Sequence, residues 1–333
     1  MVKTLTDLYP LEKIRGPSFR KGNWNFNWTN TAIVMLPPLI VLCALIYGVP
    51  LVANTFYLGL IFYSISCMSI TIGYHRLFAH KAYQAHWSVQ WATAFFGAGA
   101  MQGSIRWWGR KHRIHHRHVD TDKDPYNATR GFWYSHIGWM IMKQDPRHLG
   151  QVTEMQDFED NKCVVLQNKY YLPIAIFSGV ILPTLIAGLG WGDWLGGYFY
   201  AACAKIFFCH HSTFFINSLA HSDFLAALQP YGDSTTAHDS IICSFLTFGE
   251  GYHNFHHEFP GDYRNAIKWY QYDPTKWAIL GLEAVGLAYN LNRLHETVID
   301  HNKANMEKKN HEEELAKLKI KLNEFEKVDK TLP

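Results

Sequence analysis

Gly249-Glu250-Gly251-Tyr252-His253-Asn254-Phe255-His256-His257 carries three histidines within five residues. On a helix, at about 100° per residue, His256 lies roughly 60° to one side of His253 and His257 roughly 40° to the other. All three imidazoles then leave one face. Imidazoles this close are costly to ionise together, and they suit a metal that takes neutral imidazole nitrogen. The reading of the chain therefore turns on whether it supplies further ligands and a setting for them.

Two more clusters answer: His75-Arg76-Leu77-Phe78-Ala79-His80 and His112-Arg113-Ile114-His115-His116. The latter repeats the H-x-x-H-H spacing of the 253–257 run. Adjacent histidines on a helix point about 100° apart, which lets them reach different metals of a close pair. His75 and His80 lie about 140° apart on an ideal helix, so they share a face only if the helix ends or distorts. The spacing predicts a helix terminus between them. Eight histidines exceed the needs of one ion, and roughly four to six ligands per metal implies two metals. All-imidazole ligation admits zinc, iron or copper, and spacing does not choose among them. His221, an i+4 neighbour of Asn217, is left open as a ninth ligand. His86, His118, His136, His148, His210, His211 and His238 lack partners at ligand spacing. His295, His301 and His311 belong to the solvated tail or its approach.

The setting is a membrane. Aromatics make up 15% and charged residues 18% of the 333 residues. The mean hydropathy of −0.14 still demands a large polar part. A net charge of +3 makes no general case for nucleic acid. Apolar runs at about 31–49 and 51–72, joined near Pro50, are each long enough to cross roughly 30 Å of hydrocarbon. A second pair follows at about 172–189 and 196–220, with Pro183 expected to kink the third span. Lys205, His210 and His211 should turn the fourth toward the polar part. Ser88–Met101 is too short to span comfortably and reads as an interfacial or core helix. The turns near Pro50 and Gly192 contain no Lys or Arg, whereas every other polar segment is basic. The positive-inside rule then puts both termini and the polar regions in the cytosol. The expected architecture is an all-α integral membrane protein with four transmembrane helices and a cytosolic helical cap holding a dimetal histidine site. Its divisions are a cytosolic N-terminal segment (1–30), a body (31–301, with the cap at 73–170 and 221–301) and a charged helical tail (302–333). No signal peptide is visible. The six cysteines form no C-x-x-C pair and read as small buried hydrophobes in a reducing setting.

The histidine clusters and their surroundings resemble the membrane-bound acyl-CoA Δ9 (stearoyl-CoA) desaturases of the fungal type. The resemblance rests on Gly73 through His80, Gln102-Gly103-Ser104-Ile105-Arg106-Trp107-Trp108, Asp120-Thr121-Asp122-Lys123-Asp124-Pro125, Gly131 through Trp139, and above all Gly249 through Pro274. It covers roughly residues 15–295. It implies an endoplasmic reticulum membrane enzyme that uses two iron ions (Fe2+), O2 and electrons to place a cis double bond at C9–C10 of a saturated acyl-CoA. The family pattern maps His75, His80, His112, His115, His116, His221, His253, His256 and His257 as ligands, with Asn217 holding one metal through water. By the same resemblance Gln102, Trp108, Thr213 and Phe214 line a bent acyl tunnel, and Gly59 and Tyr63 match chain-length positions at its blind end. Arg110 and Lys143 match CoA contacts, while Gly103, Lys111 and Gln144 depart from the animal pattern. No His-Pro-Gly-Gly haem motif occurs, so electrons are expected from a separate cytochrome b5 and its NADH-dependent reductase. The alternatives are an acyl-lipid desaturase or hydroxylase of the same superfamily, or a non-enzymatic metal-binding or transport protein. The nearly featureless first three spans argue against transport.

Overall fold

A computed structural model describes residues 25–329 apart from 146, 148 and 224–226, with side chains as far as residue 324. Most of the N-terminal segment, and His148, therefore lie outside the described residues. Among the described residues, three helices are long and apolar enough to cross a membrane: α1 (Trp28–Ile46), α2 (Ala53–Ala79) and α6 (Tyr171–Trp191). Their outward surfaces are apolar. Leu36, Leu39, Leu42 and Leu45 on α1 are exposed, as are Leu172, Ile176, Phe177 and Leu189 on α6. A helix apolar on its outer side needs an apolar solvent there. Asn27 starts α1 by accepting the Asn30 N–H, and residues 47–52 form the expected turn around Pro50.

The fourth apolar run is also helical but less regular. It begins as Trp194–Gly196, widens into a π-helix over Gly197–Ala204, continues as α7 (Lys205–Ser218) and ends in a 3-10 turn at Leu219–His221. Its polar groups turn inward as expected. Lys205 Nζ donates to the Gly99 carbonyl at 2.7 Å, and His210 Nε2 lies 3.1 Å from the Met101 carbonyl. Both carbonyls follow α3 (Trp87–Ala98), the helix expected near 88–101, so α7 ties down the end of α3. In α6 the irregularity associated with Pro183 is a π turn at Phe177–Ile181, just before the proline. Pro183 has no N–H, so one helical bond is missing and the neighbouring turn widens.

The polar half packs above these helices. It contains α4 (Ile105–His118), α5 (Lys162–Lys169), α8 (Ile241–Leu246), α9 (His253–Glu258) and α10 (Pro274–Ala284). A short strand pair and isolated bridges depart from an all-helical expectation: Gln84–Ala85 pairs antiparallel with Ala288–Tyr289, and Asp239 bridges Leu228 and Tyr252. The 264–274 run folds around the buried Asp273. Its carboxylate accepts the N–H groups of Asn265, Ala266 and Lys276, capping α10. Asp273 also takes two bonds from Arg76 at 2.9 and 3.1 Å. This fastens the polar end of α2 to the 249–274 segment. The tail forms α11 (Glu296–Asp329). Ile299 and Met306 are buried against the body, while Leu315, Leu318 and Leu322 are exposed. The helix therefore docks by its first turns only.

Candidate metal centre

Glycine opens the 249–257 run for a physical reason. Gly249 sits at φ +92°, and a Cβ on Gly251 would lie 2.2 Å from the Ser244 nitrogen. The chain therefore approaches α8 closely and delivers His253 at the start of α9. His256 and His257 then diverge as the helical angle requires. His256 Nε2 lies 3.1 Å from His75 Nε2 and 2.9 Å from His116 Nε2. His257 Nε2 lies 3.0 Å from His253 Nε2 and 3.3 Å from His115 Nε2.

The nine histidines gather into two groups. His75, His80, His112, His116 and His256 form one, and His115, His221, His253 and His257 the other, with the nitrogens of each group within 4.8 Å of one another. Both H-x-x-H-H clusters are split between the groups, because neighbouring residues leave a helix in different directions. His221 joins through His253, Nε2 to Nε2 at 3.1 Å. The expected terminus between His75 and His80 is found at Ala79, with His80 as the C-cap of α2, and the last turns before it are distorted. The helix runs as a π-helix from Ile70 to Ala79, and the His80 N–H bonds back to the His75 carbonyl. That i→i+5 bond brings residues five apart nearly into line. The two rings stand 4.8 Å apart, and His80 Nε2 reaches within 2.7 Å of His112 Nε2.

Acidic and hydroxyl groups orient three of these rings from behind. His75 Nδ1 lies 2.9 Å from Glu250 Oε2, and His115 Nδ1 3.0 Å from Asp124. His221 Nδ1 lies 2.9 Å from Thr236 Oγ1, which in turn donates to Asp120 at 2.6 Å. Each contact holds the proton on Nδ1 and leaves the Nε2 lone pair facing inward. Burial raises the Glu250 carboxyl, but Arg76 and His75 outweigh it and bring the group to about 2. Burial, followed by the neighbouring imidazoles, holds His112, His116, His253, His256 and His257 well below the usual histidine range. Neutral rings with converging lone pairs repel one another unless a cation lies between them. Five nitrogens in one group and four in the other fit two imidazole-binding ions.

The supporting residues were not singled out from sequence as ring-orienting groups. Glu250 and Asp124 flank the clusters, so local spacing was an available signal. Thr236 had none, since it meets His221 only through folding. Asp120 accepts from the Thr236 hydroxyl and N–H, while Arg113 pairs with Asp157 and Arg106 with Glu159.

A cavity adjoins both groups. Its walls include His75, His112, His115 and His253 together with Gln102, Trp108, Thr213, Phe214 and Asn217. Thr213 Oγ1 donates to Gln102 at 3.0 Å. Gly59 and Tyr63 line a second, apolar cavity between α1, α2 and the fourth helical run. Tyr63 OH, 2.6 Å from Ser212 Oγ, stands between the two, since Ser212 lines the first. Arg110 and Lys143 lie outside both linings; Arg110 donates to Gln151. Lys111 and Gln144, two of the departures from the animal pattern, bond each other at 2.6 Å. Burial and the adjacent Arg110 push the Lys111 ammonium down to about 8. Of the remaining histidines, His136 Nε2 lies 3.0 Å from His211 Nδ1, away from both groups.

Comparison with known proteins agrees with this geometry. The model of the fatty acid desaturase family matches residues 53–292. The chain is 46% identical over 282 residues to a probable acyl-CoA desaturase of Schizosaccharomyces pombe, covering 83% of this chain and 57% of that protein. It is 43% identical over 305 residues to acyl-CoA desaturase 1 of Saccharomyces cerevisiae, covering 91% and 58% respectively. It is 32% identical over 279 residues to the stearoyl-CoA desaturase of Homo sapiens, covering 82% and 76%. The chain thus spans less than three fifths of the length of the two yeast relatives. With the family model matched across both histidine groups, this chain belongs to the fatty acid desaturase family.

Proposed function

We propose that the chain is an acyl-CoA Δ9 desaturase. It converts a saturated acyl-CoA, O2, two electrons and two protons into the cis-9-monounsaturated acyl-CoA and two waters. The observation that carries this reading is the convergence of nine imidazole nitrogens in two groups, of which His75, His112, His115 and His253 line a largely apolar cavity. The names of the relatives support the acyl-CoA substrate class.

Two irons held by the nine histidines, with Asn217 reaching one through water, would supply the O2-dependent oxidising power that no side chain has. The residues of the chain do the rest. Glu250, Asp124 and Thr236 keep His75, His115 and His221 in one tautomer, so no ring must reorganise. Trp108 and Phe214 exclude water along the acyl path, and Gln102 and Thr213 fix its polar edge. Tyr63 limits chain length where the second cavity begins. Arg110 and Lys143 hold the CoA phosphates. Electrons come from a cytochrome b5 and its reductase. The body is 31–301, with four spans in the endoplasmic reticulum membrane, both termini and the cap cytosolic, and 302–333 an appended tail. Support for four spans comes from the outward apolar surfaces of α1, α2 and α6 and the helical continuity of 194–221.

The test is expression in cells lacking their own Δ9 desaturase, with cytochrome b5 present, followed by fatty acid analysis and double-bond location. Monounsaturated chains with the bond at C9 are expected. Stable protein without new unsaturated chains would refute the activity, and a bond at another carbon would refute the regiochemistry.

A further inference from the structure

All six cysteines are free thiols, but two are not isolated. Cys67 on α2 and Cys209 on α7 face each other with their sulfurs 3.6 Å apart. Both are buried, and they come from helices far apart in sequence. Cys67 lines the first cavity beside His75, Trp108 and Phe214. Cys209 stands behind it and is fully buried, and its carbonyl is held by Gln102 Nε2 at 2.8 Å. One sulfur therefore meets whatever enters the cavity, and the other is placed to answer it.

We propose that Cys67 and Cys209 form a redox pair in the cavity wall, converted to a reversible disulfide by a small hydroperoxide. The Cys67 sulfur attacks one peroxide oxygen. The O–O bond breaks, Cys67 becomes a sulfenic acid, and the other oxygen leaves as water or an alcohol with the thiol proton. The Cys209 sulfur then attacks the Cys67 sulfur, the S–O bond breaks, and a second water leaves as the S–S bond forms. Two thiols have lost two electrons to the peroxide. Bonding brings the sulfurs about 1.5 Å closer, to a normal separation of about 2.05 Å, which small side-chain rotations on two packed helices can supply. The bridge links α2 to α7 beside the cavity. The geometry carries this inference whether or not the chain desaturates acyl-CoA.

The test uses the purified full chain in detergent, treated with hydrogen peroxide in modest excess, then denatured with N-ethylmaleimide and mapped by mass spectrometry. Alkylatable thiols should fall by two from six. A Cys67–Cys209 cross-linked peptide should appear, lighter by two hydrogens and restored by dithiothreitol. Six surviving thiols would overturn the proposal. So would consumption of the exposed Cys43 while Cys67 and Cys209 stay reduced. In Cys209→Ser, Cys67 should stop at the sulfenic acid and be trapped by dimedone. Absence of that adduct in folded variant protein would overturn the assigned order, and the wild-type mapping does not depend on the variant folding.

Discussion

Glu250→Gln tests how the polar shell governs metal binding. The wild-type carboxylate accepts on both oxygens. Oε1 takes the Arg76 guanidinium at 2.7 Å, and Oε2 takes Asn265 Nδ2 at 2.8 Å and faces His75 Nδ1 at 2.9 Å. Glutamine keeps the shape but turns one acceptor into a donor. If its NH2 faces Arg76, two donors meet. If it faces His75 and Asn265, two donors lose their acceptor, and His75 is driven to shift its proton to Nε2, the atom that faces the other imidazoles. Loss of such an orienting partner costs about 10–100-fold in metal affinity, or about 1.4–2.8 kcal/mol. The fold suffers less than a fully broken buried pair would imply, because Asp273 still holds Arg76 at 2.9 and 3.1 Å. About 1–3 kcal/mol of stability is expected to go, the range for one unsatisfied buried group. The assay is iron bound per chain during titration with a chelator, measured beside thermal unfolding of the metal-free protein. A Glu250→Gln chain that holds iron as tightly as wild type would refute the tautomer argument, whatever happens to its stability.

Four further outcomes are expected. His256→Ala removes a nitrogen that lies between His75 and His116, so it should abolish desaturation and lower iron per chain. His211→Ala, outside both groups, should leave iron per chain unchanged in the same measurement. Tyr63→Ala deletes the hydroxyl bonded to Ser212 and the ring packed on Phe208 and Phe248. It should join the two cavities and raise the share of longer acyl products in a competition assay, and an unchanged product profile would count against the tunnel-end role. Asp239 is half-buried, and its carboxyl is pushed up to about 7, mainly by loss of solvation, against the opposing bonds from the Phe255 and Asn254 N–H groups. Since its unfolded value is about 3.9, the unfolded state releases this proton first, and the contribution to stability falls as pH rises from about 4 to 7. Asp239→Asn keeps an acceptor for both N–H groups, so denaturant titrations should show a flatter pH profile over that window.

The apolar runs were legible because a membrane span is a statement about length and polarity; α1 and α6 follow the expected bounds to within three residues, while α2 runs on past the expected end at 72 to Ala79. The fourth run was legible as helix, while its π-helical stretch was not. Nothing local distinguishes Gly197–Ala204 from an ordinary turn until α7 must point Lys205 and His210 at the end of α3. The same limit explains His75 and His80. Ideal α geometry separates them, and only packing against α4 and α9 makes the wider turn worthwhile. The split of His115 from His116, and of His256 from His257, was readable from the angle between adjacent helical residues.

The sequence by itself determined that this chain carries clustered neutral imidazoles at the ends of membrane-length helices, because spacing and hydropathy are short-range properties. Tertiary structure decided which imidazole joins which group and what holds each ring. His221 meets His253 and Thr236, and Thr236 meets an aspartate 116 residues away. Those pairings depend on how four separate segments pack, and no periodicity within one segment encodes them.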